Sequence, residues 1–207
     1  AFIDQQIGRV LDALEKNGRL ENATIIFSAD HGDMLGDFSL WGKGSLSRSA
    51  QLSVPLVIAN HPDLTPGSTS KALTGNLDIP GTVLDIAGAS AGIGLSRSLF
   101  DMLGPQPKQA RAVNFSELGD CIKIVEAEAY RYCYYPFSGF GELLRVDGFR
   151  DERVTIEGNA DYQVKEREFL KYLLDFEAMK NGVQIRNEEM PPTTRARIRD
   201  RYPGFRP

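Results

Sequence analysis

The sequence predicts an α/β core over residues 1–104, a smaller α+β subdomain over 105–180 made of an antiparallel sheet and one helix, and an Arg- and Pro-rich tail over 181–207. Three observations carry that prediction. Short, nearly all-apolar runs alternate with amphipathic helical segments in the first half, which is the pattern of a parallel sheet covered by helices. From about residue 104 the apolar residues alternate with polar ones in four short, closely spaced segments, the pattern of an antiparallel meander. A long amphipathic segment then closes the ordered part.

In the first half, "FIDQQIGRVLDALEKN" (2–17) places Ile3, Ile7, Val10, Leu11 and Leu14 at helical spacing, and Gly18 suits the residue just past a helix end. "ATIIFSA" (23–29) and "VPLVIA" (54–59) are β-branched and apolar, and read as strands buried on both faces. Asp78 suits the cap of a helix with Pro80 in its first turn, ending at Gly88.

"GPQPKQAR" reads as a linker. After it, "AVNFSEL", "CIKIVEAE", "AYRYCYY" and "GELLRVD" form the meander, and 161–179 form a helix with Val164, Phe169, Tyr172, Leu173 and Phe176 inward.

Composition excludes several classes. Net charge is −4, without a basic stripe for nucleic acid or a polybasic run for an anionic membrane. The apolar runs are too short to span a bilayer. Two cysteines, Cys121 and Cys133, are too few for a disulfide framework and lack zinc spacing, so both are expected to pack. The chain starts on Ala rather than Met, directly in a helix, and reads as cut from something longer.

The stretch that asks for a chemical explanation is "FSADHGDMLGDFSLWGKG" (27–44). In an open α/β sheet, ligands bind beyond the carboxyl ends of strands, and this strand delivers Asp30 and His31 there. A carboxylate beside a neutral imidazole is a common metal-ligand pair. Gly32, Gly36, Gly42 and Gly44 let the loop fold closely, and Lys43 offers a compact cation with three donors to an anionic oxygen. An Asp capping a turn and a solvated lysine explain the same residues one at a time, so residues alone leave both readings open.

"SADHGDMLGDFSLWGKG" followed by "VPLVIA" closely resembles the C-terminal half of the sulfatase family, within the alkaline phosphatase-like superfamily. The resemblance runs collinearly through "LTGNLDIPGTVLDIAGAS" to "YRYCYYPFSGFGELLRVDGFRDE", over roughly 1–180. It implies the C-terminal half of an alkaline phosphatase-like α/β/α core. It implies that Asp30 and His31 are metal ligands and that Lys43 is catalytic, contacting a sulfate oxygen. It implies one divalent cation, calcium foremost, with manganese or zinc as alternatives, and a sulfated small molecule or glycan as substrate. The family's formylglycine arises from a C/S-x-P-x-R motif that is not found in these 207 residues, and the Asp pair of the family's first strand is absent too. The nucleophile is therefore expected in an N-terminal half outside this sequence, with this chain inactive alone. A phosphodiesterase or phosphonate monoester hydrolase of the same superfamily is the nearest rival, and a non-catalytic remnant or binding module is a rival of another class. Phe38-Ser39 stands where relatives often carry His-Gly, and Arg48-Ser49 where an acidic residue is usual.

The remaining polar and aromatic residues read as structural. His61, Asp33 and Asp37 are expected as solvated loop residues, and Glu117 as a surface acid with a minor case for substrate contact. Tyr130, Tyr132, Tyr134 and Tyr135 are expected to pack within the sheet, Trp41 to wall a pocket or pack, and Arg195, Arg197, Arg199 and Arg201 to be solvated.

Overall fold

The computed structural model describes residues 2–44, 47–89, 95–102, 111–127, 129–147, 150–154 and 160–180. The tail over 181–207, which holds Arg195, Arg197, Arg199 and Arg201, and residues 104–110 of the linker lie outside the described residues. The chain divides into two compact units, Ala1–Asp30 with Val54–Thr69, and His31–Ser53 with Ser70–Pro207.

In the first unit, helix α1 (Phe2–Lys16) forms where the apolar stripe predicts it and ends against Gly18 at φ 63°. Its stripe is only partly covered: Ile7, Leu11 and Leu14 are half-buried, whereas Ile3 and Val10 are exposed. Strands β1 (Ile25–Ser28) and β2 (Leu56–Ala59) pair antiparallel, Ile25 opposite Ala59 and Ser28 opposite Leu56. This corrects two expectations. The pair is not parallel, and neither strand is buried on both faces, since Phe27 and Val57 are exposed. The continuous apolar run led to the parallel reading, but strand direction is set by the connection, which apolarity does not encode. Asn60, at φ 58°, turns the chain out of β2 and donates its side-chain amide to the carbonyls of Leu20 and Ala23. His61 Nδ1 accepts the Asp63 N–H at 3.2 Å, so its ring serves a local turn.

In the second unit, strands β3 (Val113–Leu118), β4 (Ile122–Ala127), β5 (Tyr130–Tyr135), β6 (Phe140–Asp147) and β7 (Arg150–Arg153) form a five-stranded antiparallel meander in chain order. Four strands were legible in the sequence. β7 was not, because "RDER" has no apolar alternation. Val125, Tyr132 and Leu143 of this sheet pack with Tyr162, Phe169 and Leu173 of helix α4 (Ala160–Lys180). Phe176 stacks on Phe115 at 4.3 Å. Val164, expected inward, is exposed, and Tyr162, two residues earlier and so on the other side of the helix, is buried instead. Tyr132 is buried and donates to Glu166 at 3.0 Å, as expected of a packing tyrosine. Glu117 binds Lys123 and Lys180 at 2.8 and 2.6 Å.

The opposite face of the sheet buries Ile122, Ile124, Leu144 and Cys133. Burial pushes the Cys133 thiol up to about 12, as befits an inert packing residue. Cys121, also expected to pack, is exposed in the β3–β4 turn.

Helix α3 (Asp78–Ile86) starts at Asp78, but Asp78 is not its cap residue; Leu77 is. Asp78 is instead fully buried. One carboxylate oxygen accepts the Gly75 N–H at 3.1 Å; the other accepts the Arg97 N–H at 3.1 Å and pairs with the buried guanidinium of Arg111. No helix among the described residues is long and apolar enough to cross a membrane.

Candidate functional site

Strand β1 ends at Ser28, and the chain passes through Ala29 to Asp30 and His31, so the extended run delivers both residues just past a strand end. Asp30 closes the first unit and His31 opens the second. Within the second unit, the loop that follows doubles back on itself. The Met34 N–H donates to the Gly42 carbonyl at 3.1 Å and the Gly36 N–H to the Leu40 carbonyl at 2.8 Å.

That return places Lys43 beside His31, with Nζ 2.9 Å from Nε2. The other ring nitrogen, Nδ1, lies 2.9 Å from the Gly32 carbonyl oxygen. A carbonyl only accepts, so Nδ1 carries the proton. Nε2 then presents a lone pair, which accepts from the Lys43 ammonium. A ring nitrogen fixed as a donor to a backbone carbonyl, leaving the other free to coordinate, is the arrangement that orients imidazole ligands in metal sites. The imidazole of His31, held in this way, therefore fits a divalent cation as a ligand. A metal taking the Nε2 lone pair requires Lys43 to release it. Among the described residues no group of three His, Cys, Asp or Glu side chains comes together as a metal centre.

The loop is built tightly at its base. The Gly32 N–H donates to the Gln51 carbonyl at 2.8 Å, and a Cβ on Gly32 would lie 1.9 Å from the Ala50 carbonyl oxygen. Only glycine fits there. Farther out, Leu35, Phe38 and Ser39 take φ of 41°, 55° and 61°. Asp33 accepts the Leu35 N–H at 3.1 Å, so it shapes the turn rather than merely standing in solvent. The Arg48 guanidinium lies 5.5 Å from the Phe38 ring centre. Trp41 is exposed and does not pack. Ser39 holds a left-handed conformation that glycine adopts without strain, so Ser39→Gly is expected to stabilise the chain by up to about 1 kcal/mol. Urea denaturation of the two proteins measures it; a destabilised variant would show that the Ser39 side chain does more than tolerate the turn.

Sequence reasoning singled out Asp30, His31 and Lys43, and the structure brings the last two into direct contact. It did not find Gln51 or Ser49, which hold the loop from behind. A four-residue helical turn, α2 (Ser49–Leu52), carries both, and nothing in "SAQL" signals it.

Residues 1–89 match the family model described as Sulfatase. A choline-sulfatase of Rhizobium meliloti is 38% identical over 90 residues, which are 44% of this chain and 17% of that protein. The solved phosphonate monoester hydrolase of Silicibacter pomeroyi superposes with a TM-score of 0.70 at 26% identity, covering 86% of this chain and 39% of that one. A 2-O GAG sulfatase structure superposes at 0.71 with 22% identity, over 89% of this chain and 42% of that one, which is a likeness of fold. The chain thus spans about a sixth of the curated relative and about two fifths of the solved structures. Residues 1–89 of the chain thus resemble the sulfatase family, whose model they match.

Proposed function

We propose that the protein to which these residues belong hydrolyses sulfate esters with the help of one divalent cation. In this reading Asp30 and His31 are two of the cation's ligands, and Lys43 donates to an oxygen of the substrate's sulfate group. The observation that supports it most is the meeting of the Lys43 ammonium with His31 Nε2, in a segment matched by the sulfatase family. An amine held beside a ligand nitrogen is poised to reach an anion bound on the cation.

The cation would polarise the ester's oxygens as a Lewis acid. The roles of this chain's residues follow from their donors. His31, its Nδ1 proton held by Gly32, offers one lone pair in a fixed direction. Lys43 supplies positive charge where the departing oxygen gains negative charge. Calcium is the first choice of metal and manganese or zinc the alternatives; a formylglycine nucleophile would come from residues outside these 207.

Phosphonate or phosphate ester hydrolysis is the second reading, favoured by the 26% identity to the phosphonate monoester hydrolase. Steady-state rates of the complete protein on an aryl sulfate and on the matching aryl phosphonate separate the two. The proposal expects the sulfate to have the higher kcat/KM, and expects His31→Ala to reduce it at least a hundredfold. A higher kcat/KM on the phosphonate replaces it with the second reading. The 207-residue chain by itself is expected to turn over neither ester. Measurable turnover by that chain would mean that the nucleophile lies among its own residues.

A further inference from the structure

The loop bearing His31 and Lys43 is held at its base by groups of the five-stranded sheet that lie about a hundred residues farther along the chain. Arg131, on β5, is 1% exposed. Its guanidinium meets Asp151 at 2.8 Å and Glu126 at 2.7 Å, and donates to the Ser47 carbonyl at 3.2 Å and to Ser49 Oγ at 3.3 Å. Asp151, on β7 and equally buried, accepts both the N–H of Ser49 at 2.6 Å and its hydroxyl at 2.8 Å. A single residue, Ser49, is thus gripped by backbone and side chain together. The same turn reaches the loop on both sides. The Gln51 carbonyl accepts the Gly32 N–H beside His31, and the Gln51 side-chain amide reaches the Gly44 carbonyl beside Lys43 at 3.4 Å.

We propose that Arg131 and Asp151 are positioning residues for the candidate site: their buried pair clamps Ser49, the turn Ser49–Leu52 fixes Gly32 and Gly44, and these set the distance between His31 and Lys43. A buried ion pair is a poor source of stability, because desolvating both charges offsets their attraction. This pair's hydrogen bonds run to a loop segment rather than only within the sheet, which is what geometric control of that segment requires. Groups that orient metal ligands through hydrogen bonds typically change metal affinity by about 10–100-fold when removed. The inference rests on the reading of His31 as a ligand for its consequence in metal binding, but not for its consequence in loop geometry.

The chain has two histidines, His31 and His61, and they lie in different units. Imidazole 15N spectra of the 207-residue chain at constant pH therefore report the site and an internal control together. Wild type is expected to show His31 as the Nδ1–H tautomer. Arg131→Met and Ser49→Ala are each expected to shift the His31 nitrogens toward the tautomer mixture of a free imidazole, with His61 unmoved and Arg131→Lys intermediate. The manganese Kd, by calorimetry, is expected to rise about tenfold in the same variants. Unchanged His31 nitrogens in folded Arg131→Met and Ser49→Ala would overturn the proposal. If Arg131→Met does not fold, Ser49→Ala, which leaves the ion pair intact, decides it. A wild type and a His31→Ala variant that bind manganese equally would sink the ligand reading, while the nitrogen shifts would still judge the positioning.

Discussion

Asp78→Ala is expected to lower stability by about 3–5 kcal/mol, the largest effect of any single substitution considered for this chain. Asp78 has no solvent exposure, and its partner guanidinium on Arg111 is nearly as deep. Truncating the carboxylate leaves Arg111 charged, buried and short of an acceptor, with the Leu95 carbonyl at 3.0 Å still accepting from it. It also strands the N–H groups of Gly75 and Arg97. Each unsatisfied buried donor costs about 1–3 kcal/mol. The loss spreads, because the start of α3 also ties down the 95–102 segment: Thr82 donates to the Asp78 carbonyl at 2.7 Å and accepts the Leu99 N–H at 2.9 Å. Thermal unfolding should show a Tm lower by roughly 10 °C or more. The double variant Asp78→Ala/Arg111→Met should be the more stable of the two, since it removes the orphaned charge. If Asp78→Ala alone matches wild type, the carboxylate is not the hub its contacts describe.

That hub marks the limit of reading the sequence. Asp before Ile-Pro-Gly signals a helix start, and the helix is there; the cap role that usually accompanies the signal is not. The difference comes from Arg97 and Arg111, which arrive from 19 and 33 residues away and which no local pattern can anticipate. The same contrast runs through the site. The meeting of His31 with Lys43 could be anticipated because both sit on one glycine-rich loop with a strand before it. The roles of Ser49, Arg131 and Asp151 could not, because a buried charge reads in sequence like any polar residue on a strand until its partners are placed. The meander was legible by its alternation, while the antiparallel pairing of β1 with β2 was hidden by runs too apolar to show a face. Val164 and Tyr162 exchanged places for a related reason: a long helix with several apolar residues on each side leaves its inward face to be settled by the sheet it meets.

Lys43→Met is expected to move two measurements in opposite directions. In the 207-residue chain it should tighten manganese binding about three- to tenfold. Lys43 donates to the one ring nitrogen of His31 that a cation would use, so the methionine frees that lone pair. It also removes a positive charge that would repel the incoming cation, a repulsion that salt screens in part. In the complete protein the same substitution should lower kcat for sulfate ester hydrolysis by about 10²–10³, the usual cost of losing one donor aimed at developing negative charge. The two results are linked by a single statement about where the ammonium points. In the proposed function the ammonium would rest on the imidazole without an anion and would turn to an anion when one binds, leaving the imidazole lone pair to the metal. A lysine that only braced the loop would give a different pattern, with metal binding and turnover falling together as His31 lost its place. Calorimetry on the chain and initial rates on the complete protein, done with the same variant, decide between the two.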